Sequence, residues 1–152
     1  MEFTINRDIF LKALGHANGI IEKKTTLPIL SNILIEAKDS KIKITATDLD
    51  IIYFEEILPK ELKKEGSTTT SGSILYDILR KLKPNAKIEL SLQNSNKIKL
   101  VSENSIFNLY LWIILIFYYI TTSNKIMHTK RKSHCKFDNF YWRKGKKIYR
   151  KN

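Results

Sequence analysis

Three residues near the C-terminus have side chains that could ligate a metal: His128, His134 and Cys135, within HTKRKSHC. Zinc sites draw on about four ligands at recognised spacings, and neither CxxC nor HxxxH occurs here. The sequence therefore assigns no metal site. Asp48 and Asp50 are the nearest approach to a paired carboxylate, but one residue apart in DLD they read as turn formers. There is no glycine-rich phosphate loop and no nucleophile–base constellation, so the residues point away from catalysis and from a bound cofactor. What remains is basic and aromatic. KRK (130–132) and RKGKK (143–147), with Tyr141 and Trp142 between them, resemble a nucleic-acid patch with stacking residues, but read first as a disordered basic tail.

The charge is unevenly placed. The 152 residues carry a net charge of +12, which on its own would suggest an anionic partner. Residues 1–110 hold 16 Lys and Arg against 14 Asp and Glu, whereas residues 111–152 hold 11 against one, Asp138. The basic balance thus belongs to the tail. An apolar content of 43 % and a charged content of 28 % describe a globular chain with enough length for one domain. A single Cys excludes a disulfide framework. MEFTINRDIF has neither a basic n-region nor an apolar h-region, so no signal peptide is expected and the expected location is the cytoplasm.

The elements that would position any site form a unit stated twice. FTI (3–5) starts a strand, and Asn6 is suited to cap a helix. Ile9, Phe10, Ala13, Leu14 and Ala17 then make one helical stripe, which Gly19 can close. LPILSNILIEA (27–37), with Pro28 at its start, KIKITATD (41–48) and IIYFEEIL (51–58) read as strands. After a charged connection, KELKKEGS (60–67), the order restarts. STTTS (67–71) reads as a strand, and Ser71 or Ser73 as a cap. Ile74, Leu75, Ile78, Leu79 and Leu82 repeat the first stripe 65 residues on. IELSL (88–92), KIKLV (97–101) and SIFNL (105–109) are three more strands. Two strand–helix–strand–strand–strand repeats predict an α+β domain with pseudo-two-fold symmetry over residues 1–110.

In order and spacing, MEFTINRDIFLKAL, TLPILSNILIEA (26–37), KIKITATDLDI (41–51), GSTTTSGSILYDILRKL (66–82) and SENSIFNL (102–109) resemble the N-terminal domain of the bacterial beta sliding clamp, the beta subunit of DNA polymerase III. The resemblance implies a DNA-clamp (processivity) fold with two helices inside a ring and sheets outside. It implies a non-catalytic subunit that encircles duplex DNA, pairs head to tail with a second copy, and makes the polymerase processive. It implies no cofactor. Its DNA-facing positions here are Lys24 first, then Lys23, Arg7, Lys12, Arg80 and Lys81, with His16 and Lys83 also off the apolar stripes. Taken alone, without the family, these residues read as ordinary solvated charges. Ser73 stands where the family has a basic residue. The edge strand SIFNL would meet the third domain of the neighbouring subunit through Phe107 and Leu109, which taken alone read as core or edge-strand residues, and Ile106 replaces the family's usual Arg.

The resemblance ends where NLYLWIILIFYYI (108–120) begins. In the family a T-L-P segment leads on into a second domain. Residues 109–120 are too few to cross about 30 Å of hydrocarbon as a helix, so no membrane span is expected. The charge balance shifts abruptly, and Lys, Asn, Ile, Phe and Tyr fill 24 of the 42 tail positions against 46 of the first 110. Residues 111–152 are therefore expected to be a non-family, poorly structured tail produced by a shift of reading frame, leaving a truncated and defective clamp. The alternative function is a standalone basic module that holds nucleic acid or an acidic membrane surface through that tail.

Overall fold

The computed structural model describes residues 1–21, 28–93, 97–103, 105–110, 141–143 and 146–148. Lys23, Lys24, the apolar run beyond Tyr110, the KRK segment and the His128, His134 and Cys135 group lie outside the described residues.

Strand β1 (Glu2–Asn6) feeds directly into helix α1 (Arg7–Asn18). Asn6 is the cap: its side chain accepts a hydrogen bond from the Asp8 N–H at 2.8 Å, satisfying one of the unpaired donors of the first turn. Phe10, Ala13, Leu14 and Ala17 are buried, as the stripe requires. Gly19 follows the helix in right-handed geometry (φ −72°), so it ends α1 without the left-handed turn expected of a closing glycine. A 3-10 turn (Pro28–Ser31) comes next, and only then β2 (Asn32–Lys38). The sequence reading had placed Pro28 in the strand. Its fixed φ and missing N–H suit the first turn of a helix better. β3 (Lys41–Thr47) and β4 (Ile51–Ile57) complete the first repeat.

The segment read as a charged connection contains a short strand, β5 (Glu61–Lys64). β6 (Gly66–Ser71), α2 (Gly72–Lys81), β7 (Lys87–Gln93), β8 (Lys97–Ser102) and β9 (Ser105–Tyr110) form the second repeat. Ser71 caps α2, accepting from the Ile74 N–H at 3.4 Å. β10 (Tyr141–Arg143) and β11 (Lys146–Ile148) make an antiparallel hairpin that adds to β4 at Trp142↔Ile52 and Arg143↔Ile51.

The repeats interlock by exchanging their first strands. One sheet runs β5-β1-β7-β8-β9, so β1 of the first repeat joins the strands of the second. The other runs β11-β10-β4-β3-β2-β6, so β6 of the second repeat joins the strands of the first. All pairings are antiparallel, with Ile5↔Ile88 and Ile33↔Thr70 marking the two exchanges. The fold is α+β: among the described residues, two sheets and two helices surround a main core, with Ile29, Leu30 and Leu34 as a smaller second cluster. That core contains Phe3, Phe10, Leu14, Ile33, Ile44, Leu75, Leu79, Ile88 and Leu100, each 0–1 % exposed.

Candidate nucleic-acid interface

The helices lie antiparallel. Arg7 at the start of α1 touches Leu79 and Arg80 at the end of α2, while Ile21, just past α1, touches Gly72 at the start of α2. Both helices bury one side in the core and leave the other to solvent. The exposed side carries Ile9 and Lys12 on α1 and Ile74, Asp77, Arg80 and Lys81 on α2. Ile9 (48 % exposed) and Ile74 (53 %) had been assigned to the buried stripes; each is the leading position of its stripe and falls outside the packed contact.

The basic residues of this side differ in what holds them. Lys12 and Lys81 are exposed and have no ion-pair partner among the described residues. Arg80 is exposed and 3.9 Å from the Asp77 carboxylate, three residues earlier on α2. At the surface such a pair contributes little and leaves the guanidinium open to another anion. Lys83 lies 3.1 Å from Glu103. His16 is held from the side: its Nδ1 is 3.0 Å from Glu55 Oε2 on β4, and the Tyr53 hydroxyl donates to the same oxygen.

Arg7 has different surroundings from the rest. Its side chain is only 12 % exposed. Nε donates to the Leu79 carbonyl at 2.7 Å, Nη2 to the Arg80 carbonyl at 3.0 Å and Nη1 to Asp8 Oδ1 at 2.7 Å. Asp8 Oδ2 accepts from the Asn85 N–H at 2.8 Å. The Arg7 guanidinium, and after it the Asn85 N–H, hold the Asp8 carboxyl below its ordinary range. Sequence reasoning placed Arg7 with the other helix cations because its partners stand 72 and 73 positions away.

The two positions expected at a subunit edge lie at the end of the five-stranded sheet. Leu109 is 8 % exposed and belongs to the core, and Phe107 packs partly against it. The side chains that β9 turns outward are Ile106 (60 % exposed), Asn108 and Tyr110 (71 %). A groove of about 280 Å³ separates β9 from α2, lined by Ile74, Asp77, Ile78, Lys81 and Phe107. Asp48 is a turn former: its Oδ1 accepts from the N–H groups of Asp50 at 3.0 Å and Ile51 at 2.6 Å. Among the described residues no group of three or more His, Cys, Asp and Glu could hold a metal. Among them, too, no helix is long and apolar enough to cross a membrane.

Comparison with known proteins matches residues 1–111 to the family described as DNA polymerase III beta subunit, N-terminal domain. The beta sliding clamp of Caulobacter vibrioides is 37 % identical over 110 residues, 72 % of this chain and 29 % of that protein. The beta sliding clamp of Buchnera aphidicola is 37 % identical over 105 residues, 69 % of this chain and 28 % of that protein. Among solved structures, Caulobacter crescentus pol III beta superposes with a TM-score of 0.71 at 36 % identity, covering 75 % of this chain and 30 % of that one. The Pseudomonas aeruginosa subunit gives a TM-score of 0.72 at 28 % identity, covering 76 % and 31 %. The chain thus spans about three-tenths of the length of the relatives it matches.

Proposed function

The chain belongs to the family of the DNA polymerase III beta subunit, N-terminal domain, and from that premise we propose that it acts as a DNA-facing domain of a replication sliding clamp. In this reading it does no chemistry. It works in the cytoplasm on duplex DNA, as part of a ring that tethers a polymerase to its template. The observation that carries the reading is the antiparallel helix pair of a domain of this family, on which Lys12, Arg80 and Lys81 are each exposed.

A sliding ring must attract phosphates without reading bases, because any base-specific contact would hold it in place. Long cationic side chains on exposed helix faces do this, and their attraction is screened by salt. Lys12, Arg80 and Lys81 supply it here, with Lys24 and Lys23 added from the family resemblance. β9, the last strand of its sheet among the described residues, would take a strand from the third domain of a second clamp subunit beside Phe107 and Leu109.

The test is binding of the full chain to a labelled duplex across a salt series. A weak affinity, in the range of about 10⁻⁴–10⁻⁶ M, is expected, with a negative slope of log K against log salt. Replacing Lys12, Arg80 and Lys81 by Gln should flatten that slope by about 0.9 per residue. If the slope is unchanged by those substitutions and collapses when Lys130, Arg131 and Lys132 become Gln, the helix face is not the DNA surface and the basic tail is.

A further inference from the structure

We infer that Arg7 is a positioning residue for the DNA-facing end of α2 and not itself a phosphate contact; the inference rests on the duplex-facing reading of the two helices. An α-helix ends with four carbonyls that lack intrahelical partners, and they carry the negative pole of its dipole. Arg7 reaches across from the other helix and donates to two consecutive carbonyls of that last turn, Leu79 O, which also accepts from the Leu82 N–H, and Arg80 O, through Nε and Nη2 of one planar fork. Those carbonyls belong to the turn whose side chains, Arg80 and Lys81, project into solvent.

The same guanidinium is fixed from behind. Nη1 is bound to Asp8, and Asp8 holds the Asn85 N–H in the turn that follows α2. Asn85 sits at φ +58°, a left-handed position that Asn tolerates better than most residues. The backbone N–H of Arg7 also donates to the Ala86 carbonyl at 2.9 Å. One residue therefore ties the start of α1 to the last turn of α2 and to the turn that leads into β7. With its side chain 12 % exposed and three of its five N–H donors engaged, Arg7 is committed to the helix end, and reaching out to a phosphate would release it. The geometry of the fork is the operative feature. A lysine would keep the charge and lose the two-carbonyl grip.

The test compares the full chain with Arg7→Lys, Arg7→Gln and Lys81→Gln, at a temperature where circular dichroism reports each folded. Duplex affinity is measured from about 50 mM to about 200 mM salt, alongside amide exchange at Leu82, whose N–H donates to Leu79 O, and at Asn85. Both Arg7 variants should weaken affinity about fivefold with the salt slope unchanged, and should speed exchange at both amides about five- to thirty-fold. Lys81→Gln should lower the slope by about 0.9. A slope that falls in Arg7→Gln and recovers in Arg7→Lys makes Arg7 a direct contact and overturns the inference. Faster exchange with unchanged affinity also overturns it, since the residue would then serve the fold alone. If the unmodified chain shows no salt-sensitive affinity, the duplex-facing reading falls first. Unchanged exchange in Arg7→Lys would then overturn the clasp separately.

Discussion

Gly72 and Ile21 meet where the start of α2 crosses the chain leaving α1, and the contact leaves no room for a side chain at position 72. A Cβ built there would overlap Ile21 Cδ1 and lie 2.9 Å from Ile33 Cγ2. Both neighbours belong to the core, Ile33 fully buried and Ile21 6 % exposed, so a side chain at position 72 has to displace packed groups.

Gly72→Ala should therefore destabilise the domain by about 1–3 kcal/mol through overpacking, despite the better helix propensity of Ala. Gly15 is the internal control. A Cβ there would meet Tyr76 Cε2 at 3.5 Å, an ordinary contact. Gly15→Ala should be neutral or stabilise by up to about 1 kcal/mol. Urea unfolding of both variants decides the matter: equal effects would mean that helix propensity, and not the Ile21 contact, governs position 72.

Asp8 gives a pH dependence of defined sign. Its folded-state pKa is depressed, first by Arg7 and then by the Asn85 N–H. A depressed carboxyl contributes stability that is fully present above its unfolded value, about 3.9, and is lost as pH falls through the folded value. The stability difference between the unmodified chain and Asp8→Asn should stay constant from neutral pH down to about 4 and shrink only below it. Thermal unfolding across that range is the measurement. A difference that already shrinks between about pH 6 and 5 would show that another group is responsible.

Thr68 lies in β6 with 0 % exposure, and its hydroxyl oxygen has no hydrogen-bond partner among the described residues. A buried hydroxyl without a partner has lost its water contacts and gained nothing in exchange. Thr68→Val removes that group with little change of shape and keeps the β-branched side chain that strands favour. A gain of about 1 kcal/mol is expected in denaturant unfolding. A loss of similar size would reveal a hydrogen bond made by Thr68 in solution.

Much of this architecture is legible locally. The caps at Asn6 and Ser71 follow from side chains that can reach the next turn's N–H groups, and the buried positions of each helix follow from its period. What periodicity cannot report is which strand pairs with which. The exchange of β1 and β6 between sheets depends on contacts between distant segments, such as Ile5 with Ile88. β5 was missed because Leu62 is the one apolar residue in ELKK, too little to mark an alternation. Ile9 and Ile74 were misplaced for a shared reason. A five-position stripe is wider than the face that packs, and the residue preceding Phe10 or Leu75 lies about 100° around the helix from it. At the candidate site, sign and helix position were readable. Whether a cation has no ion-pair partner among the described residues, as with Lys12 and Lys81, or is held by carbonyls, as with Arg7, depends on the other helix.

β9 separates two roles that its sequence merges. Leu109 is 8 % exposed and belongs to the core, whereas Ile106, three residues earlier on the opposite face, is 60 % exposed. Leu109→Ala should cost at least about 2 kcal/mol of stability, because a cavity opens at the end of the sheet. Ile106→Lys should leave stability within about 0.5 kcal/mol. Its effect should fall on association instead, since an added charge on an open edge strand discourages a second strand from pairing there. Denaturant unfolding and sedimentation of the two variants separate the roles. If Leu109→Ala leaves stability intact and abolishes self-association, Leu109 is an interface residue in solution. If Ile106→Lys associates as readily as the unmodified chain, β9 is not the edge through which copies meet.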